Sequence, residues 1–358
     1  MSKFAFMIHP LDINDYARKF PVLGKLPKKV LYQISKKLPP IYTSDIDGVA
    51  SKYNSVDGCF VGCPLTSEQM VEYQEEFVLN KIIAAGKFAE KKGARILGLG
   101  AMTSVIGDAG ITVADNLNIA VTTGNSYTIS VACEAAKKAA LLMGKGFDNT
   151  EVLILGATGS IGAVCAQILA RDYKYITLAA RDQGKLERLA HRIFYQTGLS
   201  VRVTTEYRQA LKEADVIVAV TSSVDAVIYP DDLKPGAVVC DVARPRDVSK
   251  HVALERNDVL VIEGGVVEVP GNVNFNFNFG YPEGLALACM AETMILALEE
   301  RYESFTLGRD LSLEQVDEIT KLANKHGFKL AGFRSFERAV DEKEIEKIRK
   351  QVQEKYAG

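Results

Sequence analysis

The sequence predicts an α/β protein in which a parallel sheet is covered on both faces by helices. Three observations carry this. From 151 to about 265, short apolar runs alternate with stretches of helix length, as parallel strands joined by crossover helices require. The first of these runs, EVLILG, passes directly into a turn with glycines at 156, 159 and 162. At 358 residues, the chain is too long for one ordinary domain and about right for two.

Composition narrows the classes. The chain is 47% hydrophobic and 25% charged, which argues against disordered and fibrous proteins. Lys plus Arg number 43 and Asp plus Glu 45, a net charge of −2, so the whole chain makes no case for binding nucleic acid. No run of about 18 apolar residues occurs, so no transmembrane helix is expected. The opening MSKFAFMIHPLD has an acidic residue soon after a short apolar run and no cleavage pattern; it does not read as a signal peptide, and a cytoplasmic location is expected. The six cysteines are irregularly spaced and read as reduced thiols. Cys59 and Cys63 lack a second pair to complete a zinc site, and no metal is expected.

The elements follow in order. FAFMIH (4–9) reads as a strand, and Pro27 to Lys37 as a basic helix ended by Pro39-Pro40. Residues 58–65 read as a buried strand and turn. The stretch 67–93 reads as one long helix, capped by Ser67 and ended by Gly93. Residues 94–110 run from a strand into a Gly-rich loop, 119–128 form another strand and loop, and a helix covers 127–142. GKGFDN is a linker. Then come strand EVLILG, helix Ser160–Arg171, strand ITLAAR, helix Gln183–Gln196, strand VRVTT, a helix of about two turns, and strands ADVIVAV, AVVCDVA and VLVIEGG. NVNFNFNFG (272–280) alternates Asn with Phe. The segment 282–305 reads as an apolar helix opened by Pro282, and a charged helix closes the chain over about 334–356. The expected boundaries are 1–145, a mixed α/β domain; 146–275, the alternating domain; and 276–358, a helical segment.

The turn Gly156-Ala157-Thr158-Gly159-Ser160-Ile161-Gly162 follows a strand and opens a helix inside a βαβ series. That context makes it a Rossmann-type dinucleotide loop. Residues without side chains let the backbone approach a pyrophosphate, whose charge the helix N-terminus favours. Gly156, Thr158, Gly159, Ser160, Ile161 and Gly162 are the expected cofactor contacts. The second strand of the series ends Ala179-Ala180-Arg181, with no carboxylate before Asp182. An Arg there pairs with a 2′-phosphate, so the expected cofactor is NADPH.

One thiol stands apart. On a helical wheel, Leu287, Ala291, Met294 and Leu298 form the densest stripe of 282–305, and Cys289 falls roughly opposite, with Leu285, Glu292, Thr293 and Leu296. A core cysteine and a reactive thiol near a helix start both fit this placement.

The chain resembles the long-chain acyl-(acyl-carrier-protein) reductases of cyanobacteria, which form fatty aldehydes. The resemblance rests on His9, LGLGAMTSVI (97–106), TTGNSYT (122–128), LGATGSIG (155–162), AARDQGKL (179–186), EGGVVE (263–268), ACMAETM (288–294) and NKHGF (324–328). It implies a substrate domain at the N-terminus and a nucleophile on the helix after the Rossmann domain. In that family, the Cys of an A-C-x-A-E stretch accepts the acyl group; it maps onto Cys289, with Glu292 retained. The implied reaction is NADPH-dependent reduction of a long-chain acyl thioester, on acyl-carrier protein or coenzyme A, to an aldehyde. Val269-Pro270-Gly271, the Asn/Phe run and the C-terminal charged helix depart from the family, leaving acyl length and carrier open. Thr103, Ser104 and Asn125 are candidate oxyanion donors, Glu292 a candidate orienting group, and His9 and His326 candidate proton donors. Lys25, Lys28, Lys29, Lys36 and Lys37 form a candidate dock for an acidic carrier; peripheral membrane contact is left open. Two alternatives stand beside this: an NADP-dependent dehydrogenase of the shikimate-dehydrogenase type, whose N-x-T-x-P-x-K string is not found, and a non-enzymatic NADP-responsive regulator.

Overall fold

A computed structural model describes residues 3–12, 15–16, 27–223, 225–243, 246–336 and 338–357. Lys25 of the basic segment lies outside the described residues. The chain divides into two units. Unit 1 comprises Met1–Tyr127, Val267–Asp310 and Asp317–Lys329; unit 2 comprises Thr128–Val266, Leu311–Val316 and Leu330–Gly358. Residues 276–310 thus belong to unit 1, and 330–358 to unit 2.

Unit 1 opens with β1 (Phe4–Ile8), α1 (Lys28–Lys37), β2 (Ile41–Ala50) and β3 (Ser55–Gly62). β1 alternates. Ala5 and Met7 join Val78, Ile82 and Ala85 in one core, whereas Phe6 meets Phe60 edge-on with ring centroids 6.5 Å apart. β2 was not expected from the sequence; it pairs antiparallel with β3. The expected helix 67–93 is two helices, α2 (Ser67–Glu72) and α3 (Glu75–Lys91). Its cap is Thr66 rather than Ser67: the Thr66 hydroxyl accepts the Gln69 amide, and the Gln69 side chain accepts the Thr66 amide. The break comes at Tyr73, held extended (φ −85°, ψ 159°) with its ring 5.8 Å from Phe77 and under the Lys36 ammonium. β4 (Ile96–Leu99), α4 (Ile111–Asp115), β5 (Ala120–Thr122) and α5 (Asn125–Leu142) follow. β3, β1, β4 and β5 run parallel, in that order.

Unit 2 holds β6 (Glu151–Leu155), α6 (Ser160–Leu169), β7 (Tyr175–Ala179), α7 (Gln183–Thr197), β8 (Arg202–Thr204), α8 (Tyr207–Glu213), β9 (Val216–Ala219), β10 (Val238–Asp241), α9 (Lys250–Glu255) and β11 (Leu260–Glu263). The strands form one parallel sheet in the order β11-β10-β9-β6-β7-β8. Its two faces are both dry. Val152, Ile154 and Val218 pack against alanines 132, 135, 136 and 139 of α5 and Val164 of α6. Leu153, Ile217 and Val239 pack against Leu211 of α8 and Val252 of α9. This is the doubly covered parallel sheet of the Rossmann class that the alternation predicts.

The remaining strands are β12 (Val266–Glu268), β13 (Gly271–Asn274) and β14 (Leu285–Leu287). β13 adds antiparallel to β2 and completes a six-stranded sheet in unit 1. Just beyond it the Asn/Phe run lays Phe275, Phe277 and Phe279 around Phe60, at 5.9, 6.4 and 5.5 Å, while Asn274, Asn276 and Asn278 face solvent. The expected helix from Pro282 starts later. Gly284 takes φ +79°, β14 intervenes, and the helix α10 runs Ala288–Leu298. α11 (Leu313–His326) and β15 (Lys329–Leu330) precede the C-terminal segment. There the expected helix from 334 begins only after a hairpin: β16 (Phe333–Ser335), β17 (Arg338–Val340), then α12 (Glu342–Ala357), with Asp341 accepting the Glu344 amide at 2.8 Å.

Candidate active site

In unit 1, three loops leave the carboxyl ends of neighbouring parallel strands. His9 follows β1, Gly100–Ser104 follows β4, and Thr123–Asn125 follows β5, with Met7 opposite Leu99 and Gly98 opposite Thr122. α10 packs on β1, β3 and β4. Its late start makes Cys289 the second residue of the helix, where the helix dipole favours a negative charge. Every other residue of α10 is buried except Cys289, and the other five cysteines are buried too.

Gly124 touches it directly. At φ +75°, its Cα is so close that an added Cβ would lie 2.3 Å from the Cys289 Cα and 2.4 Å from its Cβ. Only glycine satisfies both the conformation and the approach. Asn125, the first residue of α5, is half-buried beside it.

Glu292, one turn beyond Cys289, is fully buried. Its carboxylate accepts the Thr122 hydroxyl and, at 2.8 Å, the Tyr127 amide in the first turn of α5. Burial pushes its pKa up; the Thr122 hydroxyl, the Tyr127 amide, the Thr306 hydroxyl and the Gly124 amide pull it back. It therefore caps the first turn of α5 and joins residues 122–127 to α10. Thr306, at φ +49°, extends the knot: its carbonyl accepts the Thr123 hydroxyl at 2.6 Å, and its own hydroxyl donates to Ser126 at 2.9 Å. Nothing in the local sequence pattern singled out Thr122, Gly124 or Thr306 individually; TTGN was visible only as a string.

The Gly100–Ser104 turn is tied to itself. Thr103 donates to the Gly100 carbonyl at 2.8 Å, and Ser104 to the Ala101 carbonyl at 2.7 Å. Ala101 sits at φ +47°, a costly conformation for a residue with a Cβ. His9 pins this turn: Nε2 accepts the Met102 amide at 3.1 Å, and Nδ1 faces the Pro10 carbonyl at 2.9 Å. That pattern is a neutral imidazole with its proton on Nδ1. Burial, against the Pro10 bond and the Asp15 charge, lowers its pKa from 6.5. His326 is elsewhere. It bonds Ser51 at 2.8 Å and Glu299 at the other end of α10, about 15 Å along the helix from Cys289.

In unit 2, Gly156 turns the chain at φ +89°, and a Cβ at Gly162 would lie 2.4 Å from the Gly156 carbonyl oxygen. The glycines thus allow the close turn and the close helix packing that a dinucleotide loop needs. No side chain caps α6 at Gly159, so the first-turn amides of Ser160, Ile161 and Gly162 remain for an anion. Thr158 lies within the turn. Arg181 is exposed just past β7. Asp182 caps α7, accepting the Lys185 amide at 3.0 Å. The residues fit a nicotinamide dinucleotide. Among the described residues, no group of three His, Cys, Asp or Glu side chains forms a metal site, and no helix is long and apolar enough to cross a membrane.

Residues 135–263 match the family model of shikimate / quinate 5-dehydrogenase. The chain is 29% identical over 356 residues to the aminotransferase PigE of Serratia sp., covering 96% of this chain but only 41% of that protein. It is 28% identical over 305 residues to the long-chain acyl-[acyl-carrier-protein] reductase of Synechococcus elongatus, covering 81% of this chain and 87% of that one. A shikimate 5-dehydrogenase structure from Mycobacterium fortuitum aligns at 22% identity and a TM-score of 0.27, over 36% of this chain and 49% of its own. Unit 2 is an NAD(P)-binding unit of the Rossmann class.

Proposed function

We propose that the chain reduces a long-chain acyl thioester, carried by acyl-carrier protein or coenzyme A, to the aldehyde through an acyl-enzyme on Cys289. One observation supports this above all: Cys289 alone of the α10 residues escapes burial, in the first turn of the helix and against the Gly124 backbone. The likeness to the Synechococcus reductase supports the same reading.

In this reading, the Cys289 thiolate attacks the thioester carbon and a tetrahedral oxyanion forms. Asn125 and Ser104 supply donors to it, Ser104 after turning its hydroxyl from the Ala101 carbonyl. The oxyanion collapses, expelling the carrier thiolate and leaving the acyl group on the Cys289 sulfur. When bound, NADPH supplies the hydride that reduces this thioester. The resulting hemithioacetal oxyanion expels the Cys289 thiolate and releases the aldehyde. Glu292, with both oxygens engaged, holds the Gly124–Asn125 loop against the thiol rather than moving a proton. Arg181 favours NADPH through the 2′-phosphate.

The family match over 135–263 favours a second reading, a small-molecule NADP dehydrogenase of the shikimate-dehydrogenase type. That stretch lies in unit 2 and does not include Cys289. Aldehyde production separates the two. The parent enzyme with NADPH and a long-chain acyl thioester makes aldehyde, and Cys289→Ser makes less than about a hundredth as much. Equal rates would exclude the acyl-enzyme; oxidation of shikimate with no thioester reduction would favour the second reading.

A further inference from the structure

We propose that Asp247 is a positioning residue of the dinucleotide site, fixing the loop after β9 at the mouth of the cofactor crevice. The sheet order places that crevice. From β6 the chain runs outward through β7 and β8, then returns to β9 on the opposite side of β6. In open α/β sheets the ligand lies at this reversal, beyond the carboxyl ends of the strands. The glycine turn forms one wall, and the loop starting at Val220 forms the other. The two backbones nearly touch: a Cβ on Gly156 would lie 2.7 Å from the Val220 carbonyl oxygen and 3.1 Å from the Thr221 nitrogen. A small drift of the Val220–Ser223 loop therefore closes or widens the crevice.

Asp247 is what holds that loop. It is fully buried. Its Oδ2 accepts the Thr221 amide at 2.8 Å, and its Oδ1 accepts the Thr221 hydroxyl. The Thr221 hydroxyl oxygen in turn accepts the Ser223 amide at 3.1 Å. Asp247 is itself placed by the strands beside it. The Asp241 carboxylate, at the end of β10, accepts the Ala243, Asp247 and Val248 amides at 3.1, 3.4 and 3.1 Å. The Asp247 carbonyl accepts the Val227 and Ile228 amides at 2.8 and 3.0 Å. Next to it, Arg246 pairs with Glu263 of β11 at 2.8 Å. The turn is thus fastened to β9, β10 and β11 together. A buried carboxylate is costly to keep, and burial pushes its pKa up against the Thr221 bonds. Its retention makes sense where both oxygens fix one backbone segment that a ligand must pass.

The inference rests on dinucleotide binding by unit 2. The test uses the full chain and reads NADPH affinity by fluorescence titration, alongside Cys289 alkylation by iodoacetamide and the melting temperature. Asp247→Ala should raise the NADPH Kd about tenfold or more, with Cys289 alkylated at the parent rate. Asp247→Asn can accept the Thr221 amide and donate to its hydroxyl, so it should stay within about threefold of the parent. If Asp247→Ala binds NADPH as tightly as the parent, the positioning role is wrong. If that variant unfolds, Thr221→Val decides: a Kd raised several-fold at an unchanged melting temperature supports the role, and a parent-like Kd overturns it. A parent chain that binds neither NADPH nor NADH would instead remove the dinucleotide reading, and the positioning role with it.

Discussion

Cys289, His9 and Arg181 show how much chemistry depends on single positions. The sequence singles out Cys289 by the A-C-x-A-E string and Arg181 because no carboxylate precedes it after the second strand; in the structure Cys289 is half-buried and Arg181 exposed. His9 was legible only as a residue of interest. Its role depends on which atoms face it, and a string of letters does not carry that. As a neutral pin whose Nε2 accepts the Met102 amide, it loses its acceptor on protonation. Its folded pKa is lowered from 6.5, so its contribution to stability is complete above about 6.5 and is lost as pH falls through the lower folded value. Melting temperature measured from pH 7.5 to 5 should fall in the parent, and fall less in His9→Gln, whose amide oxygen keeps the acceptor. Identical slopes would show that His9 does not carry the effect. At Arg181, substitution by Ala should weaken NADPH binding about tenfold to a hundredfold, the worth of charged hydrogen bonds to a phosphate, and leave NADH binding nearly unchanged. Equal losses for both cofactors would remove Arg181 from the 2′-phosphate site.

Among the elements, unit 2 was the most legible. β6, β7, β9, β10 and β11 are nearly unbroken apolar runs because both faces of the parallel sheet are buried there, whereas the edge strand β8 is exposed to half-buried. Unit 1 was harder to read. β2 carries Asp45 and Asp47, exposed along one side, and a half-buried Gly48 in IYTSDIDGVA, so its run looks polar. α10 hides its start because apolar residues precede it in a strand rather than a helix, and periodicity alone does not separate the two. The late start puts Cys289 in the first turn of α10, rather than seven residues into a helix opened at Pro282. The link between α10 and α5 was not legible at all, since Glu292 and Tyr127 are far apart in sequence. Glu292→Ala should cost about 2–4 kcal/mol in urea unfolding, from the lost cap on α5 and the cavity left behind. A cost below about 0.5 kcal/mol would mean the link does not hold the two helices.

At the scale of the whole molecule, the proposed thiol chemistry belongs to unit 1 and the dinucleotide loop to unit 2. The basic helix α1 is the candidate dock for an acidic carrier. Lys29 and Lys37 are exposed, but Tyr32 donates to Glu68 of α2 and Lys36 lies over Tyr73, so part of the helix is engaged within the fold. Reversing Lys29 and Lys37 to Glu should slow reduction of carrier-protein thioesters at low salt and leave coenzyme A thioesters unaffected. Unchanged rates on both would show that α1 is not the dock. The central claim is the acyl-enzyme, and intact-mass measurement after incubation with a long-chain acyl thioester tests it most directly. Without NADPH, the parent, Cys133→Ser and Cys165→Ser should each gain the mass of one acyl group, and Cys289→Ser should gain none. Adding NADPH should remove the label from the parent and release aldehyde. A Cys289→Ser protein that carries the acyl group, or makes aldehyde at the parent rate, would contradict the account.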